Sequence, residues 1–555
     1  MTLTLDAPAR RPAPPSARGQ RVERAVPAGL FAAALAMYAA AAAAWPTEWD
    51  SVSLVFGVDR FDVTQASPHA PGYWLYVALG RLVHAVTPLG TADSLLAASA
   101  LAAAGTVALA WTVGRAMGGR WLGAAAAGVL LTSPFVAFYG SSVGTYPFDA
   151  LASLVLLHLA LRARPGSWHA PAAAAALGLS GGVRQSSLLL LAPVALVALA
   201  RAARRAPSPG RVLLASAAAG AAGVAVWLVP MALEQPGGLG AVREAGGRIW
   251  REAVEVSSPV YGAPAAGVRY NVGQATGYTL AAVAGLVPVT VAALVLARRR
   301  SHGASLDPVP PRCGPRITPP VLLAVAALPP FAFVTVFHFG KAGYVLSYLP
   351  ALVLLLLWPA CGLARRPRLV AGVVVAAACA VQVLRFWGAP GILPSSLADT
   401  GGLWFTESRF GAPYRLTASA IRDTDADVER LLTLGRAFDP ASDELVFMYL
   451  NGGHRFRHAM LALPEFRMHY LQLGFHEWSA SGRRWHHERD HVVELAPGAR
   501  AVFVVDEPRT EILRLVGVGV ALPIRLENGP TVYRVPAGVT VYGVRLVAGP
   551  APAPR

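Results

Sequence analysis

Charge is scarce in this chain. Only 14% of its 555 residues are Asp, Glu, Lys or Arg, where soluble domains carry about a quarter, so a soluble globular protein is excluded. Lysine is nearly absent: of 48 Lys+Arg residues, Lys341 alone is lysine. An Arg-for-Lys and Ala-rich bias reflects a high-GC genome, so Arg richness alone says little. The formal charge of +17 does not point to nucleic acid, because the arginines cluster in short loops between apolar runs, which is the bias of membrane topology. The three cysteines, Cys313, Cys361 and Cys379, fall in apolar spans or a connecting loop. The C-terminal part has none, which excludes a disulfide framework or a cysteine zinc cluster there. No glycine fingerprint or phosphate loop appears, and no internal repeat of the kind built into many transporters.

What is present is apolar sequence: 55% of the residues are hydrophobic, in successive stretches of about 20 residues, long enough to cross a bilayer. Placed by length and sided by the positive-inside rule, they predict a polytopic α-helical membrane protein with about eleven transmembrane helices. The spans are 26–44, 91–114, 121–139, 147–162, 170–181, 186–200, 212–232, 275–297, 319–338, 344–363 and 369–387. Residues 1–25 read as a disordered cytoplasmic tail with no cleaved signal. Residues 26–388 form the transmembrane domain, with outer loops at 45–90 and 233–272. Residues 389–555 read as an extracytoplasmic α/β domain, with helices at 422–438 and 508–516 and strands at 444–450, 501–506 and 531–535. The expected location is the bacterial cytoplasmic (inner) membrane.

On this topology the few acids before residue 390 are one-sided. Asp6, Glu23 and Asp307 fall inside; Glu48, Asp50, Asp59, Asp62, Asp93, Asp149, Glu234, Glu244, Glu252 and Glu255 fall outside. The first outer loop holds the most specific pattern: Glu48-Trp-Asp50-Ser51 directly after the first span, then Ser67-Pro-His69-Ala-Pro71-Gly72-Tyr73-Trp74, then an amphipathic piece with Arg81 and His84. An outer turn reads Gly144-Thr-Tyr146-Pro-Phe-Asp149. A break reads Gly181-Gly182-Val-Arg184, between segments too short to span alone. Lys341-Ala-Gly343-Tyr344 closes the set.

In these elements, across residues 26–365, the chain resembles the GT-C superfamily of membrane glycosyltransferases, and within it the protein O-mannosyltransferase-like and DUF2723-like branch. That branch has an Asp just after the first span and a His-Pro-Pro-Gly-Tyr-like element, here His69–Tyr73 with one Pro lost. DUF2723-like sequences often carry a Glu where this chain has Gly144, and Asp149 is a possible substitute. The resemblance implies sugar transfer from a polyprenyl-phosphate donor to a hydroxyl acceptor on a protein, glycan or lipid, with inversion and Asp50 as general base. Such a reaction needs a base for the acceptor proton and cations for the leaving phosphate.

Arg184, Lys341 and Arg269 are the expected phosphate-binding residues. Glu48, His69, Tyr73, Tyr146, Asp149 and Tyr344 are the expected substrate-binding residues. Structural alternatives stand beside these: Asp50 as a solvated cap, Arg184 capping carbonyls, Lys341 snorkelling, His338 structural. The loop residues Arg243, Arg248, Trp250, Arg251, Tyr261, Arg269 and Tyr270 suit a sugar phosphate or a membrane-surface helix equally. No cofactor is required, although a divalent metal is possible; the His476-Glu477, His486-His487-Glu488 and Asp490-His491 run reads as a solvated loop. The alternative function is a transporter or flippase of a lipid-linked or anionic solute acting through Arg184; a scaffold displaying the outer domain is a third.

Overall fold

The computed structural model describes residues 17–251, 254, 258–263, 265–301, 318–337, 341–388, 416–448, 455–471, 475–479, 482–486, 492–504, 510–541 and 543–548. Among the described residues, the N-terminal part is built from helices and their connecting loops. Its elements are α1 (Ala17–Ala40), α2 (Trp49–Asp59), α3 (Trp74–Val86), α4 (Thr91–Thr132), α5 (Pro134–Gly140), α6 (Tyr146–Arg162), α7 (His169–Val183) and α8 (Ser186–Leu190). They continue with α9 (Ala192–Ala203), α10 (Pro209–Glu234), α11 (Gly238–Trp250), α12 (Ala265–Val283), α13 (Val287–Ser301), α14 (Pro319–Val336), α15 (Leu349–Leu357) and α16 (Arg365–Trp387).

Among the described residues, five helical stretches are long and apolar enough to cross a membrane: Thr91–Thr132, Pro209–Glu234, Asn271–Leu296, Pro319–Val336 and Arg365–Trp387. The expected eleven spans are thus not eleven separate long helices. Two of them share α4, which is interrupted at Gly119 (φ 84°), a conformation other residues rarely adopt. The chain doubles back there, because a Cβ on Gly114 would lie 2.9 Å from the Gly123 Cα. Glu23 of α1 pairs with Arg115 and Arg120 on either side of this turn, which ties the first helix to the same end of the bundle. The expected span 344–363 is built from short pieces: a 3-10 turn Ala342–Ser347, α15, and a second 3-10 turn Trp358–Gly362. Pro350 and Pro359 stand at the starts of the last two pieces, where the missing N–H costs nothing. One core cluster runs from Tyr38 through Leu130, Phe135 and Tyr278 to Leu354, and a second gathers Leu54, Tyr76, Leu95, Trp227 and Met231 around α2 and α3.

The C-terminal part contains strands, as expected. A five-stranded sheet has the order β2-β1-β6-β8-β7. β1 (Asp443–Met448) pairs in parallel with β2 (Met468–Leu471) and with β6 (Arg500–Val504). β8 (Thr531–Val535) and β7 (Leu522–Arg525) complete it antiparallel. β3 (Phe475–Ser479) and β4 (Gly482–His486) form a hairpin, and β5 (Val492–Leu495), β9 (Thr540–Val541) and β10 (Val544–Ala548) form a small separate sheet. Three helices accompany them: α17 (Ala418–Ala437), α18 (Arg455–Ala462) and α19 (Thr510–Gly517). The sequence reading anticipates α17, α19, β1, β6 and β8, shifted at their ends by up to four residues. It misses α18 and the short strands, which lack a long period to read.

This domain grips the chain between α1 and α2. Asp425 of α17 accepts hydrogen bonds from the amides of Ala44 (3.2 Å) and Trp45 (2.9 Å). The Trp45 indole donates to Glu429 at 3.3 Å. His458 of α18 donates from Nε2 to the Pro46 carbonyl at 2.6 Å. The segment leading into Asp50 is therefore fixed from the C-terminal side, its backbone groups satisfied by side chains rather than by regular structure.

Candidate active site

Asp50 lies in the first turn of α2, where the helix's unsatisfied amides favour a carboxylate. Its Oδ2 is 2.9 Å from the Lys341 ammonium, and Oδ1 is 4.0 Å from His69 Nδ1. Lys341 also lies 3.6 Å from Glu48, whose other oxygen accepts a hydrogen bond from the Tyr139 hydroxyl at 3.3 Å. One ammonium thus bridges two acids. They differ in exposure: the Asp50 side chain is 36% accessible, Glu48 11% and Lys341 12%. Asp50 is the most accessible of the three.

The neighbouring charges separate the two acids electrically. Burial pushes the Asp50 carboxyl up, but Lys341 and His69, with the Lys341 hydrogen bond, outweigh it and hold the group well below the usual carboxylate range. For Glu48 burial wins; Lys341 opposes it, the Asp50 charge adds to it, and the carboxyl is raised. Asp50 is ionised beside a neighbour that holds its proton more readily.

His69 is fixed by a proton count. Ser53 Oγ donates its single proton to the Asp50 carbonyl at 2.7 Å. Its oxygen is then an acceptor for His69 Nδ1–H at 2.7 Å. Nε2 stands 3.1 Å from the Tyr73 hydroxyl and accepts from it when the ring is neutral. Burial lowers the His69 pKa against the pull of Asp50, so the ring is neutral near pH 7 and its charge bears on Asp50 only at acid pH.

A second group packs beside the first. Arg184, at the end of α7, is buried, with Nε 3.0 Å from Asp149 Oδ2. Its guanidinium carbon lies 4.6 Å from the Tyr146 ring centre and 4.7 Å from that of Tyr344, a cation held between two aromatic rings. Asp149 also accepts a hydrogen bond from Ser187 at 2.7 Å. Tyr139, Tyr146 and Tyr344 continue as a chain of ring contacts with centroids 4.7 and 5.6 Å apart. Gly343 makes this possible, because a Cβ there would stand 2.6 Å from the Tyr146 ring.

The structure therefore brings together Glu48, Asp50, His69, Tyr73, Tyr146, Asp149, Arg184, Lys341 and Tyr344. Arg269 is not among them; it is exposed on α12. Asp149 does not stand beside Asp50 as its second acid, being committed to Arg184 and Ser187; the neighbouring acid is Glu48, sharing Lys341. Lys341 is paired with carboxylates rather than snorkelling. Asp62 is buried and bonded to Thr64 and Gln235, and Arg81 pairs with Glu234, so both act within the loop scaffold.

In the second loop, α11 carries exposed Arg243, Arg248 and Trp250, and Trp250 meets Tyr261 edge-on at 6.1 Å. His338, His487, Glu488, Asp490 and His491 lie outside the described residues. Among the described residues, no three His, Cys, Asp or Glu side chains gather to hold a metal ion. Sequence reasoning misses Ser53, Tyr139 and Ser187, which carry no signal of their own. It also misses Arg457 of α18, whose guanidinium lies 4.4 Å over the Trp49 ring; the basic-aromatic run Arg455–His458 was its one legible trace.

The nine-residue cluster sits where a helical bundle meets a strand-containing C-terminal domain, and solved structures share that arrangement. ArnT from Cupriavidus metallidurans bound to undecaprenyl phosphate aligns over 94% of this chain and 98% of its own, with 14% identity and a TM-score of 0.53. The apo form of the same protein aligns over 92% and 98%, with 14% identity and a TM-score of 0.52. The chain has the GT-C fold. No protein-family model matches the sequence, and neither does any curated protein. The GT-C likeness is thus carried by three-dimensional structure over nearly the whole length of both chains, including the C-terminal domain that the sequence resemblance left uncovered.

Proposed function

We propose that this chain is an inverting glycosyltransferase that moves a sugar from a polyprenyl-phosphate donor to a hydroxyl acceptor at the outer membrane face. The observation that carries the reading is a half-buried Asp50 whose carboxylate lies 2.9 Å from the Lys341 ammonium in a GT-C fold. The ArnT neighbour was solved with undecaprenyl phosphate bound, which supports a polyprenyl phosphate as the lipid.

In this mechanism Asp50 accepts the proton of the acceptor hydroxyl. The acceptor oxygen bonds to the sugar's anomeric carbon from the face opposite the leaving group, and the bond from that carbon to the phosphate oxygen breaks. Lys341 and Arg184 attract the departing phosphate. A phosphate drawing on Lys341 weakens its hold on Asp50, so donor binding makes Asp50 more basic. His69, Tyr73, Tyr146 and Tyr344 provide rings and hydroxyls for the sugar, and Glu48 steadies Lys341. We place the chain near the protein O-mannosyltransferase-like, DUF2723-like branch on the order of its Asp50, His69–Tyr73 and Tyr146 motifs, with a hexosyl donor. We also place residues 1–25 inside, the C-terminal domain outside and the whole in a bacterial inner membrane.

The transport reading relied on Arg184 in a broken helix. Arg184 belongs to the same cluster as Asp50 and is charge-balanced by Asp149, which favours the enzyme. Purified membranes are to be incubated with a panel of radiolabelled polyprenyl-phosphate sugars. Label should pass to an acceptor with wild type and not with Asp50→Asn. Movement of intact donor across proteoliposomes without bond cleavage would overturn the reading.

A further inference from the structure

Residues 44–46 lead from α1 towards the helix that carries Asp50, and their backbone partners come from the C-terminal domain. The bundle holds Ala43, whose amide donates to the Ser141 carbonyl at 2.9 Å. Beyond it, Ala44 and Trp45 donate their amides to Asp425 at 3.2 and 2.9 Å, and the Trp45 indole donates to Glu429 at 3.3 Å. Pro46 has no amide proton, and its carbonyl accepts from His458 at 2.6 Å. Asp425 and Glu429 stand four residues apart on α17, hence on one face of the helix.

α17 is a firm base for this grip. Thr417 caps it, accepting from the Ala420 amide at 3.1 Å. Ala418 and Ile421 pack into the bundle core, whereas Leu431 and Leu434 pack into the core of the C-terminal sheet. Asp425 and Glu429 lie between these two anchorages, on a helix that both cores share.

α2 has less support at its own start. Glu48, its N-cap residue, is extended and makes no side-chain cap, and its 11 residues are fewer than an isolated helix needs. Ser51 ties α2 to the bundle through the Val143 carbonyl at 2.6 Å. Asp50 lies between that tie and the grip on residues 44–46. A segment held at one point pivots about it; a second point fixes its direction. The 2.9 Å contact of Asp50 with Lys341 depends on that direction.

We propose that Asp425 is a positioning residue for Asp50, and that α17 is the strut through which the C-terminal domain sets the geometry of the segment carrying the base. This rests on the reading of Asp50 above. It gives the domain a part in the reaction that needs no contact with donor or acceptor.

The test uses the full-length protein in nanodiscs as wild type, Asp425→Ala, Asp425→Asn and Asp423→Ala. Asp423 is exposed on the same helix and controls for loss of charge. Hydrogen exchange is followed in peptides covering residues 41–56, and transfer from radiolabelled polyprenyl-phosphate sugars is measured per folded molecule. In Asp425→Ala, exchange should quicken at Ala44 and Trp45 and onward through the α2 amides from Val52, because exchange reports slow local opening. Its kcat should fall about tenfold to a hundredfold with donor KM unchanged, as for a reacting group displaced by roughly 1 Å. The acidic limb of its pH–rate profile should move to higher pH, because Lys341 then holds Asp50 less closely. Asp425→Asn keeps one acceptor oxygen and should fall between; it serves if the Ala variant does not hold its fold. Asp423→Ala should match wild type in both measurements. Faster exchange confined to Ala44 and Trp45, with wild-type turnover, overturns the proposal and makes α17 a docking element only. So does a loss carried by donor KM alone. A wild type that transfers from no donor overturns the Asp50 reading, while the exchange data still decide whether α17 orders α2.

Discussion

The Lys341 ammonium stands 2.9 Å from the Asp50 carboxylate, across 291 residues of sequence, and 3.6 Å from Glu48. Burial alone would raise the Asp50 carboxyl; this contact, together with His69, outweighs it. Replacing Lys341 by Met leaves burial opposed only by His69 and the more distant Arg457, so the Asp50 carboxyl rises. The ionised form is the base. The acidic limb of the pH–rate profile should therefore move to higher pH in Lys341→Met, with transfer reduced at neutral pH. Initial rates across pH 4 to 9 measure it; an unmoved limb separates Lys341 from Asp50.

Asp50→Asn should lower transfer by roughly 10²–10⁴-fold, the usual worth of a positioned base. Asn keeps the shape, and Glu48 remains to hold Lys341. Expression should stay near wild type, while the melting temperature falls at neutral pH, where the Asp50 charge stabilises the fold, so transfer is compared per folded molecule. Retained turnover assigns the proton to another group.

The two acids should have opposite effects on stability with pH. Asp50 is depressed in the folded protein from an ordinary value of 3.8, so its contribution is present above that value and fades as pH falls through the lower folded one. Glu48 is raised from 4.5, so its ionisation weakens the fold as pH climbs from 4.5 through the higher folded value. Melting temperatures should rise in Glu48→Gln relative to wild type above pH 5. Asp50→Asn should flatten the loss below pH 4.

Asp149→Ala leaves the buried Arg184 without its counter-ion and should cost about 3–5 kcal/mol, as for other broken buried pairs. Adding Arg184→Met should recover much of that stability without recovering transfer. Thermal melts in detergent check the first part, and donor-panel assays the second.

Gly343→Ala puts a methyl group 2.6 Å from the Tyr146 ring. Overpacking of this kind costs about 1–3 kcal/mol. Displacing Tyr146 also loosens the ring beneath Arg184, so transfer should fall more than stability alone explains. Comparing activity per folded molecule with the melting temperature tests the difference.

Much of the site was visible as residue types and much of its wiring was not. Asp50 is recognisable because an acid directly after an apolar span is rare, and Lys341 because it is the single lysine. Arg184 is recognisable from the glycine-rich break before it. Their partners are not. Nothing local says that Asp149 serves Arg184 rather than Asp50, that Glu48 is the second acid, or that Arg269 lies apart. The turn at Gly119 between two expected spans is legible as a Gly-Gly pair between Arg115 and Arg120, whereas apolar length does not say that the run 344–363 is three short pieces around Pro350 and Pro359.

Membrane residence, the strand-containing C-terminal domain and the crowding of acids near Asp50 were determined by sequence alone, because apolar length, period and charge placement are local properties of a chain. The identity of each ion pair was decided only by tertiary structure. Segments at Glu48–Asp50, His69–Tyr73, Tyr146–Asp149, Arg184 and Lys341–Tyr344 meet through packing, and electrostatic energies fall with distances no linear pattern encodes. Arg457 is the clearest case: an ordinary arginine in a short helix of another domain, brought over Trp49 because α18 docks on α2.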